Sequence, residues 1–178
     1  MDDDRIRIRR MTPADCDRVA EIRIGGWRSA YRGLIPRSYL DALDVAQEAE
    51  RRRGYFSQGD GSVVDLVAER AGEIVGWACH GPYRDGEVRT EDVELYALYV
   101  DPGRYGAGIG HALLQESVRR CTAAGHARML LWVLKDNARA RRFYERAGFG
   151  ADGAEEPFEV EGVEVPEVRY ARELTRQR

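Results

Sequence analysis

The 178-residue chain lacks any apolar run long enough for a signal peptide or a membrane-spanning helix, so we expect a cytoplasmic protein without a membrane partner. Cysteine and histidine are scarce, with three of each. The cysteines, Cys16, Cys79 and Cys121, are not at the spacing of metal ligands, which predicts buried thiols in a reducing compartment and no metal site. The histidines have no serine or cysteine partner at a recognisable spacing, so the pattern does not support hydrolysis by a catalytic triad.

A surplus of positive charge is missing as well. The chain has 28 lysine and arginine residues against 31 aspartate and glutamate residues, a net charge of −3. Binding to nucleic acid phosphates requires a strongly basic face, so we expect no nucleic acid as the main partner. The alternative of nucleic-acid binding rests on one predicted helix, whose arginines fit a solvated face better. These arginines are Arg139, Arg141, Arg142 and Arg146.

The residues that are present fit one compact α/β domain, with 43% hydrophobic and 33% charged residues. Hydrophobic periodicity and capping residues place the helices and strands. The two strands that flank the helix 109–123 are expected to be parallel. The expected elements are strand 5–9, a helix from Thr12 that weakens or kinks at Gly25–Gly26, a helical stretch from Tyr39 to Arg53, a hairpin of strands 62–69 and 73–81, a polar loop 84–91, strand 93–100, helix 109–123, strand 129–134, a helix from Asn137 to Gly148, and strands between Phe149 and Leu174.

The most informative segment joins strand 93–100 to helix 109–123 and has glycines at positions 103, 106, 108 and 110. Where a buried strand becomes a helix, successive backbone N–H groups and the positive end of the helix dipole form a cradle for an anion. Glycine allows a phosphate to approach the backbone closely. The flanking Arg104 and His111 could add positive charge. The other interpretation is a tight turn without a ligand.

Two common nucleotide motifs do not match this turn. A P-loop requires Gly-x-x-x-x-Gly-Lys-Ser/Thr, and the chain contains no such run. The dinucleotide fingerprint Gly-x-Gly-x-x-Gly fails as well, because its last glycine would fall on His111 or Leu113. The anion that the turn accommodates is therefore of another kind.

Residues 105–110, Tyr-Gly-Ala-Gly-Ile-Gly, resemble the coenzyme A-binding signature Gln/Arg-x-x-Gly-x-Gly/Ala of the GCN5-related N-acetyltransferases (GNAT), with Tyr105 at the Gln/Arg position. The segment from Asn137 to Phe149 is similar to the family's Asn-x-x-Ala-x-x-Phe-Tyr-x-x-x-Gly-Phe run, and residues 5–15 match the family's usual beginning. Two motifs in the right order are far more specific than either alone. The resemblance covers most of the chain and is strongest from 93 to 149.

This resemblance implies a single N-acetyltransferase domain over residues 1–178 with the acyl-CoA N-acyltransferase fold. Such a fold has a mixed, mostly antiparallel sheet with helices on both faces and one parallel strand pair that splays apart. The implied cofactor is acetyl-CoA, whose thioester arm would enter the splay between strands 93–100 and 129–134. The implied reaction is acetyl transfer to a primary amine by direct attack on the thioester. A non-catalytic acyl-CoA-binding or sensing module of the same fold is the alternative.

By the same resemblance, Glu94 and Tyr144 are the catalytic candidates. Glu94 has the spacing of the family's glutamate to the glycine turn and would take a proton from an amine of pKa near ~10.4. A solvated strand-edge carboxylate is the competing interpretation, and Asp92 and Glu91 are alternative bases. Tyr144 would protonate the departing thiolate, although its position also fits a core aromatic. A backbone N–H near Leu98, where a bulge is implied, would hold the oxyanion.

The implied ligand contacts extend along the cleft. Backbone groups of Leu98 and Val100 would bond the pantetheine arm, and a helix cap explains Asn137 equally well. The implied cofactor-binding residues are Leu98, Val100, Arg104, Tyr105, Gly106, Ala107, Gly108, Ile109, Gly110, His111, Asn137 and Tyr144. The implied acceptor-binding residues are Trp27, Tyr31, Tyr39 and Tyr96.

Aromatic and acidic residues indicate what the acceptor would be. The aromatic candidates favour an acceptor with some apolar or ring surface, although core packing explains any one of them. Acidic residues in 91–94 and 155–167 favour a cationic small-molecule or peptide amine. Residues 27–36 resemble a bacterial subgroup of the family without indicating a substrate. The sequence allows a homodimer and does not require one.

Overall fold

A computed structural model of the chain describes residues 4–86 and 88–174, which form a seven-stranded sheet with helices packed on both faces. Short 3-10 turns at Pro13–Asp15 and Pro102–Arg104 precede two of the helices. The strands are β1 Arg7–Arg10, β2 Val64–Arg70, β3 Glu73–Asp85, β4 Val88–Val100, β5 Arg128–Leu134, β6 Gly150–Val160 and β7 Val163–Glu173. The helices are α1 Cys16–Ala30, α2 Arg37–Ala42, α3 Val45–Gln58, α4 Ile109–Ala123 and α5 Ala138–Arg146.

The strands lie in the order β1-β2-β3-β4-β5-β7-β6. Every neighbouring pair is antiparallel except β4 with β5. That parallel pair is registered only at Val93 with Met129 and Glu94 with Leu130, so the two strands separate beyond Glu94. The mixed sheet and the splayed parallel pair expected from the sequence are therefore confirmed.

Alternating side chains of the central strands face two different hydrophobic clusters. On β2, Leu66 and Ala68 pack in the cluster that includes Leu113 and Leu114 of α4. The intervening Val67 packs on the other face, in the cluster that includes Val19 of α1. This alternation is typical of a sheet covered on both sides, and it confirms the expected placement of helices on both faces.

One helical stretch of the sequence prediction is two helices in the structure. The stretch from Tyr39 to Arg53 was expected to be continuous, but α2 ends at Ala42 and α3 begins at Val45. Asp44 adopts an extended conformation, and its side chain accepts a hydrogen bond of 2.8 Å from the backbone N–H of Gln47. Asp44 therefore caps a new helix, a competing signal that the apolar periodicity did not reveal.

One further expectation was wrong. The described residues of the segment 84–91 are not a polar loop, because β3 and β4 continue as a hairpin whose last pair is Asp85 with Val88. A weakening or kink was expected at Gly25–Gly26, and α1 continues through these residues to Ala30. At position 26 a Cβ atom would lie 2.7 Å from Cδ1 of Tyr99. Glycine is needed there for the close approach of β4 and not as a helix breaker.

The thiols and the helices agree with the remaining general expectations. Cys16, Cys79 and Cys121 are free and buried, as the sequence predicted. Within residues 4–86 and 88–174, no helix combines the length and the apolar character that crossing a bilayer demands.

Candidate functional site

The glycine-rich turn is held in place by Asp101 at the end of β4. One oxygen of this carboxylate accepts a bond of 3.2 Å from the backbone N–H of Gly103. The other accepts a bond of 2.8 Å from Nη2 of Arg18, a residue of α1. The turn between β4 and α4 is therefore fixed to the helix on the opposite face of the sheet.

Beyond this anchor, the backbone presents free N–H groups at the start of α4. The first bond of the helix joins the N–H of Ala112 to the carbonyl of Gly108 at 3.0 Å, so the N–H groups of residues 109–111 have no helical partner. Gly106 and Gly108 adopt φ angles of +83° and +79°, which side-chain-bearing residues avoid. These are the backbone features expected of the anion cradle that the sequence predicted for this turn.

The separation of β4 from β5 opens a pocket of about 440 Å³ beside the cradle. It contains thirteen of the sequence-predicted site residues along its walls. They are Tyr31, Tyr96, Leu98, Val100, Arg104, Tyr105, Gly106, Gly108, Ile109, Gly110, His111, Asn137 and Tyr144. The structure thus brings the two predicted motifs, at 105–110 and from Asn137, to one cavity.

Four predicted residues do not line this pocket: Glu94, Ala107, Trp27 and Tyr39. Ala107 lies exposed on the turn. Trp27 and Tyr39 pack in a hydrophobic cluster behind the pocket, with their ring centroids 6.1 Å apart. Asn137 lines the pocket and also caps α5, since its Oδ1 accepts a bond of 3.2 Å from the N–H of Ala140.

A bulge interrupts β4 beside the pocket. On the paired strand β3, Cys79 and His80 face Ala97 and Leu95, so β4 has one extra residue, Tyr96. The hydroxyl of Tyr96 donates a hydrogen bond to the carbonyl of Pro82. A bulge changes the direction of the backbone groups around it. The resemblance implied a bulge near Leu98, which lies two residues after Tyr96.

Tyr144 lies on α5 and contributes its side chain to the pocket. Its ring packs edge-on against Phe143 and Phe149, with centroid distances of 5.1 Å and 5.9 Å. Among the residues that the structure describes, none forms a hydrogen bond with the Tyr144 hydroxyl. Burial, with a smaller effect of Tyr99, raises the pKa of Tyr144 well above its usual value, so the hydroxyl keeps its proton at neutral pH.

Three carboxylates, of which Glu167 lines the pocket, lie close enough to influence one another. Burial, followed by the charges of Glu156 and Glu167, raises the pKa of Glu94 to about 7. Burial and Glu156 raise the pKa of Glu167, which lines the pocket, to about 7. No ion pair joins Glu94 or Glu167 to a residue whose side chain the structure describes. Glu94 and Glu167 can therefore each gain or lose a proton near neutral pH.

Comparison with known proteins identifies this arrangement. The model of the acetyltransferase (GNAT) family matches residues 27–149, a span that includes the cradle, the splayed strands and α5. The chain belongs to the GNAT family. It is accordingly an acyltransferase, as the sequence predicted.

Relatives of this GNAT protein match over nearly their whole length. An uncharacterised N-acetyltransferase, YuaI of Bacillus subtilis, is 29% identical over 163 residues, which cover 92% of this chain and 90% of the relative. A probable N-acetyltransferase of Mycobacterium tuberculosis, Rv2775, is 29% identical over 173 residues, covering 93% and 92%.

Solved structures share the fold. The PaiA N-acetyltransferase of Thermoplasma acidophilum, in complex with coenzyme A, has a TM-score of 0.74 at 19% identity and covers 95% of this chain and 99% of its own. The putative acetyltransferase yncA of Salmonella typhimurium, with its cofactor acetyl-CoA, has a TM-score of 0.69 at 23% identity, covering 97% and 95%.

Aromatic side chains of this GNAT protein form a hydrogen-bonded group on the α1 side of the pocket. Nε1 of Trp27 donates a bond of 2.8 Å to the hydroxyl of Tyr99, and the hydroxyl of Tyr31 lies 3.5 Å from the same oxygen. The ring of Phe158 packs edge-on against Trp27 at 6.1 Å. Trp27 thus holds Tyr99, which lines the pocket, without lining the pocket itself.

Sequence reasoning missed the individual importance of three pocket residues. Glu167 was noted only within an acidic stretch, although the pairing of β7 with β5 places it opposite Leu134. Arg139 was assigned to a solvated face, yet it lines the pocket at the cradle. Tyr99 was interpreted as part of a buried strand. For Arg139, the only signal in the sequence was its position two residues after Asn137, at the start of the same predicted helix.

Proposed function

We propose that this GNAT protein is an acetyl-CoA-dependent N-acetyltransferase that moves an acetyl group to a primary amine, and that residues 1–178 form its single catalytic domain. One observation carries the proposal. A single pocket is lined both by the cradle residues 104–106 and 108–111 and by groups suited to proton transfer, namely Tyr144 and Glu167. Binding and proton transfer are therefore available in one cavity.

The residues at the cradle fit the phosphates of acetyl-CoA. The free N–H groups of residues 109–111 and the positive end of α4 favour an anion. At position 110 a Cβ would lie in van der Waals contact with the ring of Phe143, at 3.4 Å, so glycine or alanine fits there. When bound, acetyl-CoA supplies an acyl group that is activated as a thioester. Two solved relatives hold coenzyme A or acetyl-CoA, which supports this choice of cofactor.

On the acceptor side, Glu94 is the proposed base. An amine of pKa near ~10.4 is almost fully protonated at neutral pH and must lose a proton before its nitrogen can bond to the acyl carbon. The raised pKa of Glu94, about 7, matches the pH at which such a base is most effective. Glu94 does not line the pocket, so a water molecule or Glu167 would carry the proton from the amine in the pocket to Glu94.

On the leaving-group side, Tyr144 is the proposed acid. As the bond from carbon to sulfur breaks, the sulfur needs a proton, and the Tyr144 hydroxyl retains one at neutral pH. The backbone N–H near Leu98, next to the bulge at Tyr96, is proposed to stabilise the oxyanion. Leu98 and Val100 are proposed to bond the extended arm of the cofactor with backbone groups that β5 does not pair.

The proposed acceptor is a cationic amine, either a small molecule or the terminus or side chain of a peptide. Glu94, Glu156 and Glu167 have no ion-pair partner among the side chains that the structure describes, and their mutual repulsion is relieved by a positive charge. Tyr31 and Tyr96 add aromatic surface to the same pocket. A homodimer stays a prediction of the sequence.

Calorimetric titration with acetyl-CoA, with ATP and NADH as controls, tests the cofactor. We expect binding of acetyl-CoA alone, followed by release of free thiol when a suitable amine is added. Binding without thiol release across a broad set of amines would favour the alternative, a non-catalytic acyl-CoA-binding or sensing module. Absence of binding would reduce the cradle to a structural turn.

A further inference from the structure

A second cavity, of about 480 Å³, lies at the end of α4 that is opposite to the cradle. Its walls are formed by the last turn of α4, the end of β1 and the middle of β3, and they include the side chains Arg10, His80, Arg119, Arg120 and His126. A helix of fifteen residues separates the two cavities by about 20 Å. We refer to this cavity as the distal pocket.

The lining of the distal pocket is basic. Among the described residues, the lining includes three arginines and two histidines and no aspartate or glutamate. Glu116 partly balances the helix arginines, because its Oε1 accepts a bond of 2.7 Å from Nη2 of Arg119 and one of 2.8 Å from Nε of Arg120. The Nη groups of Arg120 and the whole guanidinium of Arg10 have no partner among the residues that the structure describes. An excess of positive charge therefore remains.

His80 adds a possible neutral hydrogen-bond donor to this basic lining. The residue is 5% exposed, and its Nδ1 lies 3.2 Å from Oγ of the buried Ser117. When Ser117 donates to Nδ1, the ring proton is on Nε2, which no described residue bonds. Burial, then Arg120, Arg10 and His126, lower the pKa of His80 to about 4, so the ring is neutral at pH 7. Among the described residues, no carboxylate contributes to this shift in the pKa of His80.

The geometry points to the distal pocket as a binding site for a small organic polyanion that bears phosphate or carboxylate groups. Arg10 and Arg120 supply charged donors, and the buried His80 lines the same cavity and adds a neutral donor at Nε2 when Ser117 donates to its Nδ1. A cavity of about 480 Å³ lies in the size range of small-molecule sites. The site is separate from the coenzyme A cradle and does not depend on the proposed acetyl transfer.

The histidines provide a direct readout in the intact protein. Because the chain has three histidines, the ring resonances can be resolved by NMR and assigned with His80→Gln. We would titrate pyrophosphate, and separately citrate, with and without saturating coenzyme A. An anion near Nε2 favours the imidazolium form, so binding is expected to shift the His80 resonance and raise its pKa from about 4. Coenzyme A should not displace the probe.

A matched pair of variants on β1 tests specificity. Arg10→Gln removes an exposed, unpaired side chain of the distal pocket and is expected to weaken probe binding about tenfold. Arg7→Gln makes the same change of charge three residues away, on the other face of the strand, and is expected to leave the affinity unchanged. The proposal is overturned if neither probe moves the His80 resonance at millimolar concentration, if coenzyme A abolishes the shift, or if both variants weaken binding equally.

Discussion

The guanidinium of Arg139 lies over the ring of Tyr105, 4.1 Å from the ring centroid. This contact joins the start of α5 to the turn before α4, so the two motifs recognised in the sequence touch across the pocket. Tyr105 occupies the position at which the signature has Gln or Arg. Nη2 of the nearby Arg104 forms an ion pair with Oε2 of Glu73 at 2.6 Å. Arg139 is therefore a cation that the structure places beside the cradle.

The first prediction concerns Arg139. Replacing it with glutamine should raise the Kd for coenzyme A about tenfold, because the cradle loses a charged donor. Arg142→Gln removes the same charge from an exposed position of the same helix and should change the Kd less than about twofold. Calorimetry of both variants decides the matter, and equal effects would mean that only the overall charge of α5 acts.

A second prediction tests whether the cradle depends on backbone conformation. Gly108→Ala should lower the free energy of unfolding by about 1–2 kcal/mol, since the residue has a left-handed φ of +79°. It should also weaken coenzyme A binding. Gly33→Ala is the matched control, because Gly33 has a φ of +80° and, like Gly108, open space where a Cβ would be added. The control should lose similar stability, measured by urea unfolding, and retain the affinity.

Glu94→Gln is the test of the base. A general base contributes roughly 10²–10⁴-fold to the rate, so kcat should fall by at least about 10² while the Kd for coenzyme A is unchanged. The exposed Glu91→Gln, which also alters an alternative base, should retain most activity. A Glu91→Gln enzyme as impaired as Glu94→Gln would contradict the assignment.

The pH profile should respond to Glu156, which is exposed and does not line the pocket. Its charge raises the pKa of Glu94, and a base acts in its deprotonated form, so kcat/KM should rise with pH through about 7. Glu156→Gln lowers that pKa and should move the rise to lower pH by roughly half a unit. Glu155→Gln is the control, because Glu155 pairs with Lys135 at 3.0 Å. A profile that the first variant leaves in place would argue against Glu94.

Tyr144→Phe separates catalysis from packing. The hydroxyl has no hydrogen-bond partner among the described residues, so its removal should change the free energy of unfolding by less than about 0.5 kcal/mol. The rate of thiol release should nevertheless fall roughly tenfold to a hundredfold if the hydroxyl protonates the sulfur. Thermal melting and single-turnover kinetics measure the two effects. An unchanged rate would leave Tyr144 as a core aromatic.

Local signals predicted the elements around the site well. The bounds 109–123 for α4 were correct, because Gly108 and Gly125 terminate the helix on both sides. The break at Asp44 was missed because the apolar period continues across it. Residues 84–91 were mistaken for a loop because a hairpin that extends beyond the core needs no hydrophobic alternation.

The site was predicted where motifs are contiguous and missed where the sheet order creates it. The cradle and Tyr144 lie within recognisable runs. Glu167 lies more than seventy residues from Glu94 in the sequence, and only the order β4-β5-β7 brings their charges together. No local pattern contains that information.

The short pairing of β4 with β5 also has a consequence for folding order. It divides the sheet into β1–β4, linked largely by neighbours in sequence, and β5-β7-β6, each part antiparallel and able to satisfy its own backbone. Local pairing forms faster than pairing across a long loop. We therefore expect the two parts of the sheet to fold separately and to pair late, at the contact between Val93 and Met129. The cleft would then form only when β5-β7-β6 docks on β1–β4, so its geometry would depend on how closely these two parts pack together.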